Sequence, residues 1–219
     1  MKYKKRKYVL LSVFFTMALF LSTACSSTEK NVSLDNSELQ TIILDGTFVI
    51  DVDNPKETVG DADYVFLATV DEVVSTEQKH QETIETTFGT KAVSSPYTNF
   101  KVTVLKNIKG KLITDTPISL QKAGGVSADN TSLILYEDDS LPEVGKSYIF
   151  LAYAQDDGSL LVSGPNSNIL VPNLDKDAKN NNVNDVSKTS DIISEYEFAY
   201  KNQKETNRDR SISVYDREN

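Results

Sequence analysis

The alternation of apolar and polar positions along the chain predicts a mainly β domain. The longest β-rich segment is DYVFLATVDEVV (63–74), and its residues 64–70 are almost continuously apolar. Such a run is typical of a strand that is buried on both faces. SYIFLAYA (147–154) has the same character, whereas residues 97–104 alternate Phe and Val with Asn, Lys and Thr. The alternating segment is typical of a half-exposed strand.

Shorter apolar runs between turn residues predict the remaining strands, at residues 117–122, 132–136, 160–163 and 169–171. Residues 41–53 contain two short apolar runs around Asp45-Gly46, which predict a hairpin or a paired extended segment. Residues 75–96 are polar and predict either a long hairpin arm or a mobile loop. Gly124-Gly125 is expected to stop a strand at a turn that needs positive φ.

Two helices flank these strands. Asn54-Pro55-Lys56-Glu57 is typical of a helix start, because Asn caps, Pro suits the first position and Glu favours the first turn; Gly60 is expected to end it. A C-terminal amphipathic helix is predicted over residues 186–202, from the helical spacing of Val186, Ile192, Ile193, Tyr196 and Tyr200. Residues 173–185 are interpreted as a linker. Residues 203–219 are interpreted as a charged and frayed tail, or as a short edge strand formed by Ile212, Val214 and Tyr215.

The order of these motifs carries a family resemblance. It consists of DADYVFLATVDEV, YTNFKVTVLKNIKG, PISLQKAGG, LPEVGKSYIFLAY and DGSLLVSGPNSNILV, within residues 55–172. This order resembles the OB-like barrels of netrin-like and tissue-inhibitor-of-metalloproteinase-like domains, and also Gram-positive lipoproteins of unassigned function. The resemblance implies a small OB-like β-barrel over residues 41–172 and says almost nothing of function. Metalloproteinase inhibition by the animal relatives uses a free N-terminal cysteine that chelates the zinc ion of the target. That activity is not expected of this chain.

The N-terminal residues have the pattern of an export signal. Residues 1–8 are basic and residues 9–22 are apolar, and such a run is shorter than the ~20 residues that a membrane span needs. Thr23 and Ala24 then precede Cys25, the only cysteine. This segment resembles bacterial lipoprotein signal peptides, although Leu21 lies four positions before the cysteine where the family has three.

That resemblance implies cleavage between Ala24 and Cys25 and a lipid on the Cys25 sulfur. The mature chain would then be anchored at the extracytoplasmic face of the cell membrane, with residues 25–40 as a flexible tether. An uncleaved anchor and an ordinary secretory signal are the alternatives. A single cysteine leaves no internal disulfide to form.

Charge disfavours one class of partner. The 219 residues include 23 basic and 32 acidic ones, a net charge of −9; without residues 1–24 the balance is 18 against 32, or −14. An acidic body is repelled by phosphate backbones, so nucleic-acid binding is not expected. A basic partner or a cation fits this charge, and so does solubility alone.

No catalytic residue, metal site or cofactor is predicted. His80 is the only histidine, which leaves too few ligands for a common zinc site, and no nucleophile motif accompanies it. The segments beginning at Asp51 and Asp175 start like calcium loops but lack the glycine at position six and the glutamate at position twelve. The aromatic residues at 64, 66, 97, 100, 148, 150 and 153 are expected in the core.

Two functions remain open at this point. The first is a non-catalytic binding or adaptor module that engages an envelope protein, peptide or sugar through residues 75–96 or 123–131. The second is a carboxylate-dependent cell-envelope hydrolase, for which the sequence singles out no pair of carboxylates.

Overall fold

A computed structural model describes residues 39–172, 174 and 183–218. The elements in chain order are β1 (Gln40–Leu44), α1 (Pro55–Asp61), β2 (Tyr64–Thr86), β3 (Gly89–Lys109), β4 (Ile118–Ala123), β5 (Gly125–Val126), β6 (Ser132–Tyr136), β7 (Ser147–Ala154), β8 (Leu160–Val162), β9 (Asn168–Val171) and α2 (Val183–Lys201). The predicted signal peptide with Ala24 and Cys25, the tether up to residue 38 and most of the linker lie outside the described residues.

Five strands close into a ring in the order β2-β3-β4-β8-β7, and β7 pairs again with β2. The β4–β8 pairing is parallel, whereas the other pairings in the ring are antiparallel. β9 adds to the free edge of β7. The sequence-based prediction of a small OB-like β-barrel with a short N-terminal helix and a C-terminal helix is therefore confirmed.

The continuously apolar run in β2 is buried on both faces. Phe66 and Ala68 point into the barrel, while Val65 and Leu67 pack on the outside against the helices. Successive side chains of a strand point to opposite faces, so a strand can be apolar throughout only where both faces are covered. The outer cover includes Tyr196 of α2, which is buried.

Some predicted core positions differ from the structure. Tyr64, Phe66, Phe100, Tyr148 and Phe150 are buried as expected, but Tyr97 and Tyr153 are only half-buried.

Tyr200 was expected on the inner face of α2 and is exposed instead. The neighbouring Ala199 is buried in its place. The inner face of the helix contains Tyr196 and the residue three positions after it, Ala199, but not Tyr200, four positions after it.

Residues 41–53 do not form a hairpin. Their first part, β1, pairs in parallel with β6, and residues 48–53 form no strand. β5 pairs with the other edge of β6, so that β1, β6 and β5 form a separate three-stranded sheet, which we call the edge sheet. The alternative prediction, a paired extended segment, is correct for β1 alone. Its partner strand, β6, lies far along the chain.

Helix α1 starts as the sequence predicts and ends one residue later. The Asn54 side chain accepts a hydrogen bond from the Lys56 N–H at 3.1 Å, and Pro55 is the first helical residue. Gly60 does not end the helix. A Cβ atom there would lie 2.0 Å from the carbonyl oxygen of Lys204, so this glycine admits a close approach by the C-terminal segment.

The C-terminal segment is not frayed, because it binds the C-terminal end of α1. The last carbonyls of a helix lack partners within it and carry partial negative charge. Arg210 donates to Gly60 O at 2.7 Å and Arg208 to Asp61 O at 2.8 Å, and both guanidinium groups also bind the Asp63 carboxylate. We call this cluster the polar junction.

The same segment reaches the barrel beyond the polar junction. Tyr64 Oη donates to the Asp216 carboxylate at 2.9 Å and accepts from the Ser213 N–H at 3.0 Å. Asp216 forms an isolated bridge with Leu112, and Val214 donates to Gly158 O. The predicted short edge strand therefore reduces to one bridge at residue 216.

Lys109 gives the polar junction a testable pH dependence. Its Nζ donates to Val59 O at 2.7 Å, and burial, reinforced by the charge of Arg210, lowers its pKa to about 8. Between about 8 and 10.5 the unfolded chain therefore binds more protons than the folded one, so this lysine adds stability as pH rises. Lys109→Arg keeps its charge throughout, and the difference in unfolding free energy between wild type and variant is expected to grow across that window.

Chemical denaturation across this pH range measures that difference. Lys91→Arg on an exposed strand controls for the substitution itself, and the tyrosines common to all three proteins cancel. Parallel pH curves for wild type and Lys109→Arg would contradict the expectation.

Candidate binding surface

The β2–β3 hairpin extends well beyond the barrel. The strands are 23 and 21 residues long, yet β2 pairs with β7 only through Thr69 and β3 pairs with β4 only from Thr98 onward. Residues 77–96, which we call the arm, pair as strands only with each other in the described structure. At ~3.4 Å per residue the arm is roughly 30 Å long. Of the two predictions for residues 75–96, the hairpin arm is correct.

The tip of the arm presents an aromatic ring to solvent. Phe88 is fully exposed, and residues 80–92 are all exposed. Thr86 organises the turn, since its Oγ1 donates to Gly89 O and accepts from the Phe88 N–H. An isolated two-stranded ribbon buries little apolar surface and is only marginally stable by itself.

A bulge interrupts the arm near its base. Lys79 pairs with Ser95 and Glu82 with Val93, so two residues of β2 oppose one residue of β3. His80 is one of those two residues and has φ 50°. A bulge bends a ribbon and makes its edge a poor template for another strand. His80, the only histidine, thus lies in a backbone irregularity, with its ring 6.0 Å from that of Tyr97.

The edge sheet lies against the base of the arm. Gln78 Nε2 donates to Val126 O at 2.8 Å, and Gly124 N donates to Pro96 O at 2.9 Å. Gly124, which follows β4, and Gly125, which begins β5, have φ 108° and 147°, as the predicted turn requires. A Cβ atom on Gly125 would lie 2.5 Å from the Thr98 hydroxyl, so only glycine fits between β5 and β3 there.

A shallow apolar groove separates β6 from the arm base. Its lining includes Leu44, Pro96, Tyr97, Leu135 and Tyr136. Burial, with a smaller contribution from Tyr136, raises the pKa of Tyr97, so this phenol remains a neutral hydrogen-bonding group at physiological pH. Residues 123–131, expected to contact a partner, contribute β5 and one wall of this groove.

β1 exposes an unusual amount of apolar surface. Ile42, Ile43 and Leu44 are 41%, 51% and 42% exposed, and Val49 just beyond them is 98% exposed. Several exposed apolar side chains close together in the chain mark a contact site more often than scattered single residues do. The arm and the edge sheet together form the candidate binding surface.

A buried ion pair fixes the end of β6. Lys122 on β4 and Asp139 just after β6 lie 2.5 Å apart, and their side chains are 0% and 2% exposed. Lys122 Nζ also donates to Ser167 Oγ at 2.9 Å and Gly164 O at 3.3 Å. Burial lowers the pKa of Lys122, and the Asp139 carboxylate opposes that shift. The sequence alone does not predict this pair, since no local pattern marks either residue.

The acidic segments considered as calcium loops have structural roles where they are described. Asp51 accepts from the Asp53 N–H, and Asp53 accepts from the Asn166 side-chain amide. Asp157 accepts from the Ser159 N–H in a turn. The segment at Asp175 lies outside the described residues. Within residues 39–172, 174 and 183–218, no three His, Cys, Asp or Glu side chains are grouped as a metal site would require.

The carboxylates at the polar junction are also engaged. Asp61 accepts from Tyr153 Oη at 2.9 Å, and Asp63 binds Arg208 and Arg210. The two guanidinium groups share the Asp63 carboxylate and hold the C-terminal segment in place, which is a structural role.

A scan of the chain against models of protein families found no match, and a search of curated protein sequences found no similar protein. In the part of the chain that the structure covers, none of the helices combines the length and the apolar character needed to cross a membrane.

The Lys122–Asp139 pair can be tested by a double-mutant cycle. Lys122→Met leaves Asp139 buried without its cation, and a loss of about 3–5 kcal/mol in unfolding free energy is expected. Lys122→Met combined with Asp139→Leu is expected to cost less than the sum of the single changes, because neither charge is then buried alone.

Urea denaturation of the three variants measures this coupling. Lys106→Met breaks the exposed pair with Glu197 as a control and is expected to cost at most about 1 kcal/mol. Additive effects of the two buried substitutions would contradict the coupling.

Proposed function

We propose that this chain is a lipid-anchored protein at the extracytoplasmic face of the cell membrane, where it acts as a non-catalytic binding module. The arm is the observation that carries the binding part of the proposal. It projects about 30 Å while burying little of its own surface. A partner protein, peptide or sugar of the cell envelope would supply the burial that the ribbon lacks.

The arrangement of the two contact elements supports the same function. The edge sheet is hydrogen-bonded to the base of the arm through Gln78 and Gly124, so a partner can contact both elements at once. The barrel that carries them is closed and has its interior filled by apolar side chains. It therefore acts as a rigid support for the two surface elements.

The anchoring part of the proposal rests on the N-terminal sequence alone. The basic and apolar segments before Cys25 match an export signal, and acylation would give the single thiol a role outside the cell. The chain between Cys25 and β1 would then hold the binding module near the membrane.

Replacing Cys25 tests the anchor. Cys25→Ala is expected to abolish fatty-acid labelling and to move the protein from the membrane fraction to the soluble or unprocessed fraction. Cys25→Ser, which keeps size and polarity but not the sulfur, should behave in the same way. Labelling that persists in both variants would refute the site.

Site-specific photo-cross-linking tests the binding role. A photoreactive phenylalanine at Phe88 is expected to give a discrete adduct in intact cells, since the ring is fully exposed at the tip of the arm. The matched control is Phe198, an exposed aromatic residue on α2 and away from the arm. The same adducts at both positions, or none at Phe88, would count against the arm as the contact element.

A further inference from the structure

The outer edge of β1 is an unpartnered strand edge. β1 lies at one end of the order β1-β6-β5, and no strand among the described residues pairs with its other side. Such an edge presents unpaired N–H and C=O groups that can accept another strand. Unlike the arm, β1 pairs with its neighbour in continuous register from Gln40 to Leu44, with no bulge to disrupt the addition.

The side chains of β1 show what shape of partner fits. Ile42 and Ile43 are 41% and 51% exposed, and neighbouring residues of a strand point to opposite faces. Both faces of β1 are therefore apolar and open. A flat surface such as a bilayer covers one face only, whereas a strand added at the edge brings side chains to both faces.

The charge around β1 shows what chemistry fits. Residues 40–55 and 123–145 contain acidic residues but no Lys, Arg or His. Because β1 and β6 run in parallel, Asp45 after β1 and Glu137 and Asp138 after β6 lie at the same end of the sheet, and all three are exposed. Asp139 is not available, since it is paired with Lys122.

We propose that the free edge of β1 binds an extended segment of a partner polypeptide by strand addition, and that this segment is apolar in its centre with Lys or Arg at the acidic end of the sheet. The proposal rests on the proposed binding function and names the partner class. A second copy of this acidic chain fits the charge poorly, and anionic lipid fits it no better.

Peptide probes test the inference on the full-length protein in detergent. One probe has an alternating valine and threonine core with two lysines at each end, and the other has glutamates in place of the lysines. We expect the lysine probe to bind about tenfold more tightly, because two or three exposed ion pairs differ between the probes. That preference should weaken at high salt.

Matched variants locate the binding. Ile43→Lys is expected to abolish lysine-probe binding, while Ile212→Lys, at an exposed isoleucine of the C-terminal segment, should leave it unchanged. Glu137→Gln with Asp138→Asn should remove the preference for lysine. Glu195→Gln with Asp191→Asn, at two exposed acidic residues of α2, is the charge-matched control. Asn tolerates the positive φ of 53° at residue 138, so the fold should persist, and circular dichroism verifies this.

The other outcomes overturn the inference. They are equal binding of both probes, no binding of either, or insensitivity to Ile43→Lys. Binding to phosphatidylcholine vesicles, or dimerisation in sedimentation, that Ile43→Lys abolishes would assign the edge to lipid or to a second copy. Cross-linking at Phe88 without probe binding would support the proposed function and reject this partner class. Probe binding without any adduct in cells would support strand addition at β1 and count against the arm as the contact element.

Discussion

The buried pair of Lys122 and Asp139 is the interaction on which the arrangement of the surface depends. Lys122 points into the end of the barrel, and its ammonium binds the segment after β6 and the loop between β8 and β9. Without a carboxylate beside it, a charge in that position would be strongly unfavourable. The chain after Tyr136 must therefore turn inward at Asp139, and this fixes β6, and through β6 also β1.

The polar junction constrains the opposite side of the molecule in a similar way. The end of α1 offers carbonyl groups that the helix cannot satisfy, and cations from two distant parts of the chain, Lys109 and the Arg208–Arg210 pair, satisfy them. In both places a polar group with no local partner decides where a distant segment lies. The barrel supplies the apolar core, while these polar contacts determine how the peripheral segments are attached.

This division explains which features the sequence could predict. The apolar run 64–70, the alternation in residues 97–104 and the Asn54-Pro55 cap depend on local periodicity and local chemistry, and the structure confirms the elements they predict. The parallel partner of β1, the burial of Lys122 and the docking of the C-terminal segment depend on residues far apart in the chain. A single sequence carries no signal for such pairings.

The candidate surface was predictable only in part. Residues 75–96 and 123–131 were expected to contact a partner from their polarity and turn residues, and they form the arm and part of the edge sheet. The exposure of β1 was not foreseen, since an apolar run such as TIIL is expected to be buried. Its exposure becomes visible only once the position of β6 is known.

The polar junction also bears on the order in which the chain can fold. The bonds from Arg208 to Asp61 and from Arg210 to Gly60 span 147 and 150 residues. During synthesis, α1 and β2 leave the ribosome long before Arg208 and Arg210, which bind the end of α1. Contacts between residues so far apart in sequence also form slowly. A chain cut short before residue 208 would keep its barrel strands but leave the Asp63 carboxylate without either arginine. The polar junction can therefore form only after residue 210 has been synthesised.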